Sequence, residues 1–188
     1  MKADKKRLRA ESSVLVVIDI QDKLLARIPT AATLVRNAGF LLDVAALLEV
    51  PIRGTEQYPK GLSPTTPEIA RRIPHIVAKT AFSCCGAGTF LEELEMLQRP
   101  NIILTGMESH VCVMQTAYDL LEAGLHVFLP VDALAARFVL DHDLALRRLE
   151  SAGAVITSAE AIAFEWVRDS SHPQFKAVSK LVIDRASK

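Results

Sequence analysis

The hydrophobic pattern alternates between two periods along the chain. Ser13–Ile18 reads SVLVVI, an unbroken apolar run rich in β-branched residues. A strand with no polar face must be covered on both sides, as in a parallel sheet. Residues 31–48 then place Leu34, Val35, Ala38, Leu41, Leu42, Ala45 and Leu48 at three- and four-residue intervals. That spacing predicts a helix with one apolar stripe, entered at Pro29 and Thr30. Val50-Pro51-Ile52 reads as a short strand, and the polar, proline-bearing residues 55–64 as a long loop. A short helix over 67–72, a strand over 75–78, a loop over 82–88 and a helix over 89–97 follow. The run Ile102 to Leu104 is a fourth strand that stops at Thr105-Gly106. A polar turn over 107–111 leads into a helix opening at Cys112 and ending near Gly124, a residue suited to the left-handed conformation past a helix end. Residues 125–129 and 154–157 supply two further strands. Helices are expected over 139–152, from Ser158 to Trp166, and over 173–183.

Strands alternating with helices in this way predict an α/β fold: a three-layer, doubly wound, Rossmann-like parallel sheet of six strands with helices on both faces. The chain has 188 residues, which suits one domain over 13–188 behind a basic tail over 1–12 that is expected to be solvated. The long 55–64 loop is a candidate functional segment, since long irregular pieces of compact domains often carry function.

Composition narrows the partners. Apolar residues make up 50% and charged residues 23%, a globular balance, and no run reaches membrane-helix length. Lys and Arg exactly offset Asp and Glu, so there is no basic surplus for phosphates, and nucleic acid is not expected as a partner. A net charge of zero leaves self-association unopposed. Three cysteines without zinc-type spacing suggest a reducing, cytoplasmic setting. Cys84 and Cys85 are adjacent and read as packing residues.

The candidate chemistry lies where strands end. Asp19, Lys79 and Cys112 each follow a predicted strand, and in parallel α/β sheets the carboxyl ends form the ligand crevice. Taken one at a time they have ordinary explanations: a turn cap, an exposed cation, a buried thiol. Together they make a nucleophile, a cation and a base. Lys79 and the helix start are expected to stabilise a Cys112 thiolate, Asp19 to take and return a proton, and main-chain N–H groups of the 107–112 turn to hold an oxyanion. This points to acyl transfer from an amide-like substrate. A thiol redox protein pairing Cys112 with Cys84 or Cys85 is the alternative that a second sulfur within reach would support.

Three segments carry a resemblance: Val16-Val17-Ile18-Asp19-Ile20-Gln21, Lys79-Thr80-Ala81-Phe82-Ser83, and Gly106-Met107-Glu108-Ser109-His110-Val111-Cys112-Val113. Over residues 13–166 the chain resembles the isochorismatase-like hydrolases, a superfamily that includes nicotinamidases and N-carbamoylsarcosine and ureidoacrylate amidases. The resemblance implies that the Asp, Lys and Cys triad falls on Asp19, Lys79 and Cys112. It implies a cis peptide at Met107-Glu108, with oxyanion donors at Ser109 or a neighbour and at Cys112. Gln21, Glu56, Gln57, Tyr58, Phe82 and His110 are the candidate pocket residues, and Asp132 reads as structural. Nicotinamidases hold a metal with histidines after the second strand. Here that place reads Gly54-Thr55-Glu56-Gln57-Tyr58-Pro59, so no metal and no other cofactor is expected. The loop looks instead like the YcaC-related and isochorismatase domain-containing subgroup. The implied activity is metal-independent C–N hydrolysis of a small amide or ureido compound through a Cys112 acyl-enzyme. The alternatives are a silent member that binds a ligand or partner, and an isochorismatase-type ether hydrolase. A homo-oligomer, dimer or tetramer, acting on a small molecule away from membranes completes the expectation.

Overall fold

In the computed structural model, which describes residues 7–186, the apolar runs become one parallel sheet. Its strands are β1 (Ser13–Ile18), β2 (Ile52–Gln57), β3 (Ile76–Lys79), β4 (Asn101–Met107), β5 (His126–Pro130), β6 (Leu134–Ala135) and β7 (Val155–Thr157). The order across the sheet is β3-β2-β1-β4-β5-β7, and β6 pairs with β4 beyond the end of β5. Among the described residues the sheet thus holds the six expected strands and a seventh. The seventh is β6, two residues long and too short to leave a periodic signal.

The alternation of side chains sorts β1 into two cores. Leu15 and Val17 pack with Ile103 and Phe128 beneath α2 (Ala31–Leu47), α8 (Ala159–Val167) and α9 (Phe175–Ala186). Val14, Val16 and Ile18 pack with Ile102, Leu104 and Val127 against α5 (Phe90–Met96), α6 (Met114–Glu122) and α7 (Val139–Ser151). Every residue of β1 is buried, as its unbroken apolar run requires. The predicted stripe of α2 is the buried face, with Leu34, Ala38, Leu41, Leu42 and Ala45 inside. The remaining helices are short: α1 (Asp22–Leu25), α3 (Pro59–Leu62) and α4 (Pro67–Ala70).

From β1 the chain winds outward through β2 and β3, crosses back to β4, and winds the other way through β5 and β7. The carboxyl ends of β1 and β4 therefore flank the point where the winding reverses, which is where crevices open in such sheets.

Three local expectations change. The segment 55–64 is not one long loop: Thr55, Glu56 and Gln57 continue β2, paired with β3 through Gln57↔Lys79, and α3 follows directly. Their polar side chains hid the strand because they face Asp19, the Thr65 N–H and Lys79 rather than a core. Residues 107–111 are not a simple turn either, since β4 runs through Met107 and Ser109–Val113 forms a π-helical turn. The basic leader was expected to be a solvated tail through residue 12. Leu8 is instead fully buried, its N–H donates to Glu165 (2.8 Å), and Ala10–Ser12 forms a turn of 3-10 helix. One apolar side chain with a place in the core outweighs the basic residues around it. Residues 1–6 of that tail lie outside the described residues. Among the described residues, no helix is long and apolar enough to cross a membrane.

Candidate active site

Asp19 is the first residue past β1, and its φ of 54° turns the chain sharply out of the strand. Aspartate tolerates this left-handed region better than bulky residues do. The turn is held by the Asp19 N–H donating to Thr55 O (3.1 Å). Beside it, β4 approaches β1 with Gly106 abreast of Ile18. Gly106 has φ 126°, and a Cβ built there would lie 2.0 Å from Ile18 O. Glycine is the residue that lets the two strand ends close on each other.

Lys79 ends β3, two strands away from β1. At a strand spacing of about 4.8 Å, its side chain must cross roughly 10 Å of sheet. It does so fully buried: Nζ donates to Asp19 Oδ2 (2.7 Å), Gln57 Oε1 (2.7 Å) and Phe82 O (3.0 Å), with Ala81 O (3.3 Å) sharing one of its three N–H groups. The other carboxylate oxygen, Asp19 Oδ1, accepts from Thr55 Oγ1–H (2.8 Å). A buried charge pair is tolerable only when its remaining valences are satisfied, and here they are.

Cys112 sits in the π-helical turn that leads into α6, only 6% exposed. Such turns insert an extra residue and redirect side chains, often at functional sites. The peptide between Met107 and Glu108, at the entry to this turn, is cis. The Cys112 thiol feels Asp19 both through its charge and through hydrogen bonding. Burial, then Asp19, push the thiol up to about 12, and Lys79 only partly opposes this. The expected lowering of the thiol by Lys79 is thus outweighed by burial and Asp19. The Lys79 ammonium is bonded to Asp19, Gln57 and two carbonyls rather than to the sulfur.

The other nominated residues divide into bracing and lining positions. Gln21 is fully buried, with its amide spanning Gln57 O (3.1 Å), Gln57 N–H (2.8 Å) and Ser63 O (2.5 Å). Glu56 Oε1 accepts from Thr65 N–H (2.6 Å). Both brace the end of β2. Gln57 links the Lys79 ammonium to Thr80 O (2.8 Å). Tyr58 and Phe82 are exposed, and Tyr58 lines a cavity of about 450 Å³ with Lys60, Lys79 and Thr80. Glu108 is held by Arg137 Nε (2.6 Å), while His110 lies between Glu108 (3.6 Å) and Asp141 (3.7 Å). Asp132 braces the fold, with Oδ1 accepting from Ala159 N–H (2.8 Å). Among the described residues, no group of three or more His, Cys, Asp or Glu is arranged to hold an ion.

Sequence reasoning missed four residues of this neighbourhood. Thr55 hydrogen-bonds Asp19, and Cys84 Sγ lies 3.5 Å from the same hydroxyl. Thr116 Oγ1 accepts from Cys84 N–H (2.9 Å) and donates to Cys112 O (2.7 Å), tying the loop after β3 to the turn that holds Cys112. His142 Nδ1 lies 2.8 Å from Ser109 Oγ, which donates to Ala135 O (2.9 Å). With its one proton so used, the serine must accept from Nδ1–H. No spacing in the sequence announces any of these contacts, because each joins distant segments.

Comparison with known proteins places this geometry in a family. The isochorismatase domain matches residues 13–161. Isochorismatase domain-containing protein 2A of Mus musculus is 41% identical over 177 residues, covering 94% of this chain and 85% of its own length. Among solved structures, the MAR1 ribonuclease of Caenorhabditis elegans superposes with a TM-score of 0.89 at 40% identity, covering 94% of this chain and 92% of that one. The YcaC gene product of Escherichia coli, an octameric hydrolase of unknown specificity, gives 0.87 at 23% identity, covering 96% and 93%, a likeness of fold alone. The family match across most of the chain and relatives near 40% identity agree, and the chain belongs to the isochorismatase domain family.

Proposed function

We propose that the chain is a cysteine hydrolase that cleaves a C–N bond of a small amide or ureido compound, without a metal, through an acyl-enzyme on Cys112. The observation that carries the reading is the buried Lys79–Asp19 pair at 2.7 Å with the Cys112 thiol against the same carboxylate. A thiol that rests protonated needs a base at the moment of attack, and Asp19 is the group beside it. Cys112 Sγ attacks the carbonyl carbon as its proton passes to Asp19. The oxyanion is held by main-chain N–H groups at Ser109 and Cys112. The C–N bond then breaks, the amine leaves with the proton from Asp19, and a thioester remains. Water attacks the thioester, Asp19 takes the water's proton, and the thiol is restored as the acid departs. Lys79 holds the Asp19 carboxylate in place and acts on the sulfur through it. His110, Tyr58, Phe82 and the Glu108–Arg137 pair are the groups we assign to the substrate's surroundings.

The C. elegans relative carries a ribonuclease name, so RNA belongs in the test. The balance of charge in this chain, net zero, argues against a phosphate-binding surface. The experiment incubates wild type, Cys112→Ala and Asp19→Asn with a panel of small amides and ureides and, separately, with short RNA. Released amine and a thioester mass on Cys112 are followed. We expect amide turnover in wild type and none in either variant. RNA cleavage without amide turnover, or amide turnover that survives Cys112→Ala, would sink the reading.

We also infer self-association, supported by the exposed apolar run Phe138, Val139 and Leu140 at the start of α7, which light scattering checks. Three free thiols favour a reducing, cytoplasmic setting.

A further inference from the structure

Behind the reactive face of Asp19 lies a buried polar chain that the proposed chemistry does not itself use. Thr55 is 2% exposed, and its Oγ1 is 2.8 Å from Asp19 Oδ1 and 3.5 Å from Cys84 Sγ. Proton counting orients the chain. Lys79 Nζ donates to Asp19 Oδ2, and the single Thr55 O–H donates to Oδ1. The oxygen then has only lone pairs to turn toward Cys84, whose S–H must be the donor. That agrees with burial pushing the Cys84 thiol up to about 11, which keeps its proton on. The groups facing Asp19 are thus Lys79 from the end of β3, Thr55 from β2, and Cys112 from the turn before α6, with Cys84 behind Thr55.

A carboxylate held on one oxygen only can rotate about its Cα–Cβ and Cβ–Cγ bonds. Two donors on two oxygens stop that rotation. Thr55 reaches this position because β2 pairs with β1 in the register Ile18↔Thr55, so its Cα is abreast of the last residue before Asp19. Thr116 completes the frame from the other side, joining the Cys84 N–H to the Cys112 carbonyl.

We propose that Thr55 is a positioning residue: its hydroxyl, backed by the Cys84 thiol, locks the Asp19 carboxylate in the orientation that takes the proton from Cys112. This rests on the reading of Asp19 as the base for Cys112. The probe is iodoacetamide, which needs no knowledge of the substrate, and the readout is the rate of alkylation at Cys112 followed by peptide mass at neutral pH. Thr55→Val keeps the shape and removes the hydroxyl; Thr55→Ser keeps the hydroxyl and removes the methyl. A hydroxyl role predicts that Thr55→Val slows Cys112 alkylation roughly ten- to a hundredfold, the range for losing a hydrogen bond to a charged group, while Thr55→Ser stays within about threefold of wild type. A packing role predicts the reverse ranking. Asp19→Asn removes the base but also the charge that raises the thiol, so its pH profile, not its rate at one pH, is the readout. With Asp19 as base, wild-type alkylation varies little between about pH 6 and 8; without it, Asp19→Asn follows the thiolate fraction and rises about tenfold per pH unit. Added to Asp19→Asn, Thr55→Val changes nothing further. Labelling of Cys85, which lies outside the chain of bonds, reports that the fold is intact, and Thr55→Ala replaces Thr55→Val if that variant is not. If the wild-type profile is flat and the Asp19→Asn profile steep but Thr55→Val alkylates at the wild-type rate, or if Thr55→Ser is as slow as Thr55→Val, the role of Thr55 is overturned while Asp19 keeps its own. If Asp19→Asn and wild type share one profile, the base assignment itself falls, and this proposal with it.

Discussion

Replacing Lys79 by methionine tests the site through stability alone. The ammonium is wholly buried and satisfies four acceptors, among them Asp19 Oδ2 and the carbonyls of Ala81 and Phe82. Methionine fills much of the same volume but leaves Asp19 a buried carboxylate with the Thr55 hydroxyl and the Cys112 thiol as its side-chain donors. Breaking one half of a buried ion pair costs about 3–5 kcal/mol, far more than the packing change. With a urea slope of about 2.5 kcal/mol/M, the unfolding midpoint falls by roughly 1–2 M. The signature that separates charge from packing is the second variant. Asp19→Asn added to Lys79→Met removes the orphaned charge and recovers a large part of the loss, although two polar interactions are now gone. Acid should act in the same direction on Lys79→Met, since protonating the orphaned carboxylate favours the buried, neutral form. Urea melts of the three proteins at neutral and mildly acidic pH make the comparison. A midpoint loss under about 0.3 M, or a double variant no more stable than Lys79→Met, refutes the reasoning, because the pair would then not be a desolvated unit.

Other positions give independent checks. Gly106→Ala places a Cβ 2.0 Å from Ile18 O at φ 126°, so β1 and β4 must separate at the site; a thermal melt should show a loss of about 3 kcal/mol or more, with Cys112 alkylation altered as well. Leu8→Ala should cost about 2–4 kcal/mol if the leader is docked as described, and close to nothing if residue 8 is solvated. Burial lowers the His142 imidazole from its ordinary value of 6.5. A base whose folded-state affinity for protons is reduced is protonated first in the unfolded chain, so its contribution to stability falls as pH drops below about 6.5. His142→Asn keeps an N–H near the Nδ1 position facing Ser109 and cannot titrate, so melts of this variant should lose that part of the acid slope.

Much of the outline was readable from the chain because it follows from local periods. The unbroken run of β1, the stripe of α2 and the placing of Asp19, Lys79 and Cys112 at strand ends all depend on spacing within a few residues. Parallel pairing then obliges those ends to share one edge of the sheet. The polar end of β2 failed to announce itself for the converse reason. A strand whose side chains serve a site carries no hydrophobic period, and Thr55 to Gln57 looked like a loop.

What the tertiary structure alone decided is who faces whom and in what charge state. The sequence by itself determined that a thiol, an ammonium and a carboxylate would gather at one edge. Whether Lys79 reaches the sulfur or the carboxylate depends on β3 lying outside β2, with Gln57 and two loop carbonyls in the path of its side chain. That arrangement pairs the cation with Asp19, and burial raises the Cys112 thiol. Burial and hydrogen-bond partners are properties of segments far apart in the chain meeting in space, and no pattern read along one strand or helix contains them.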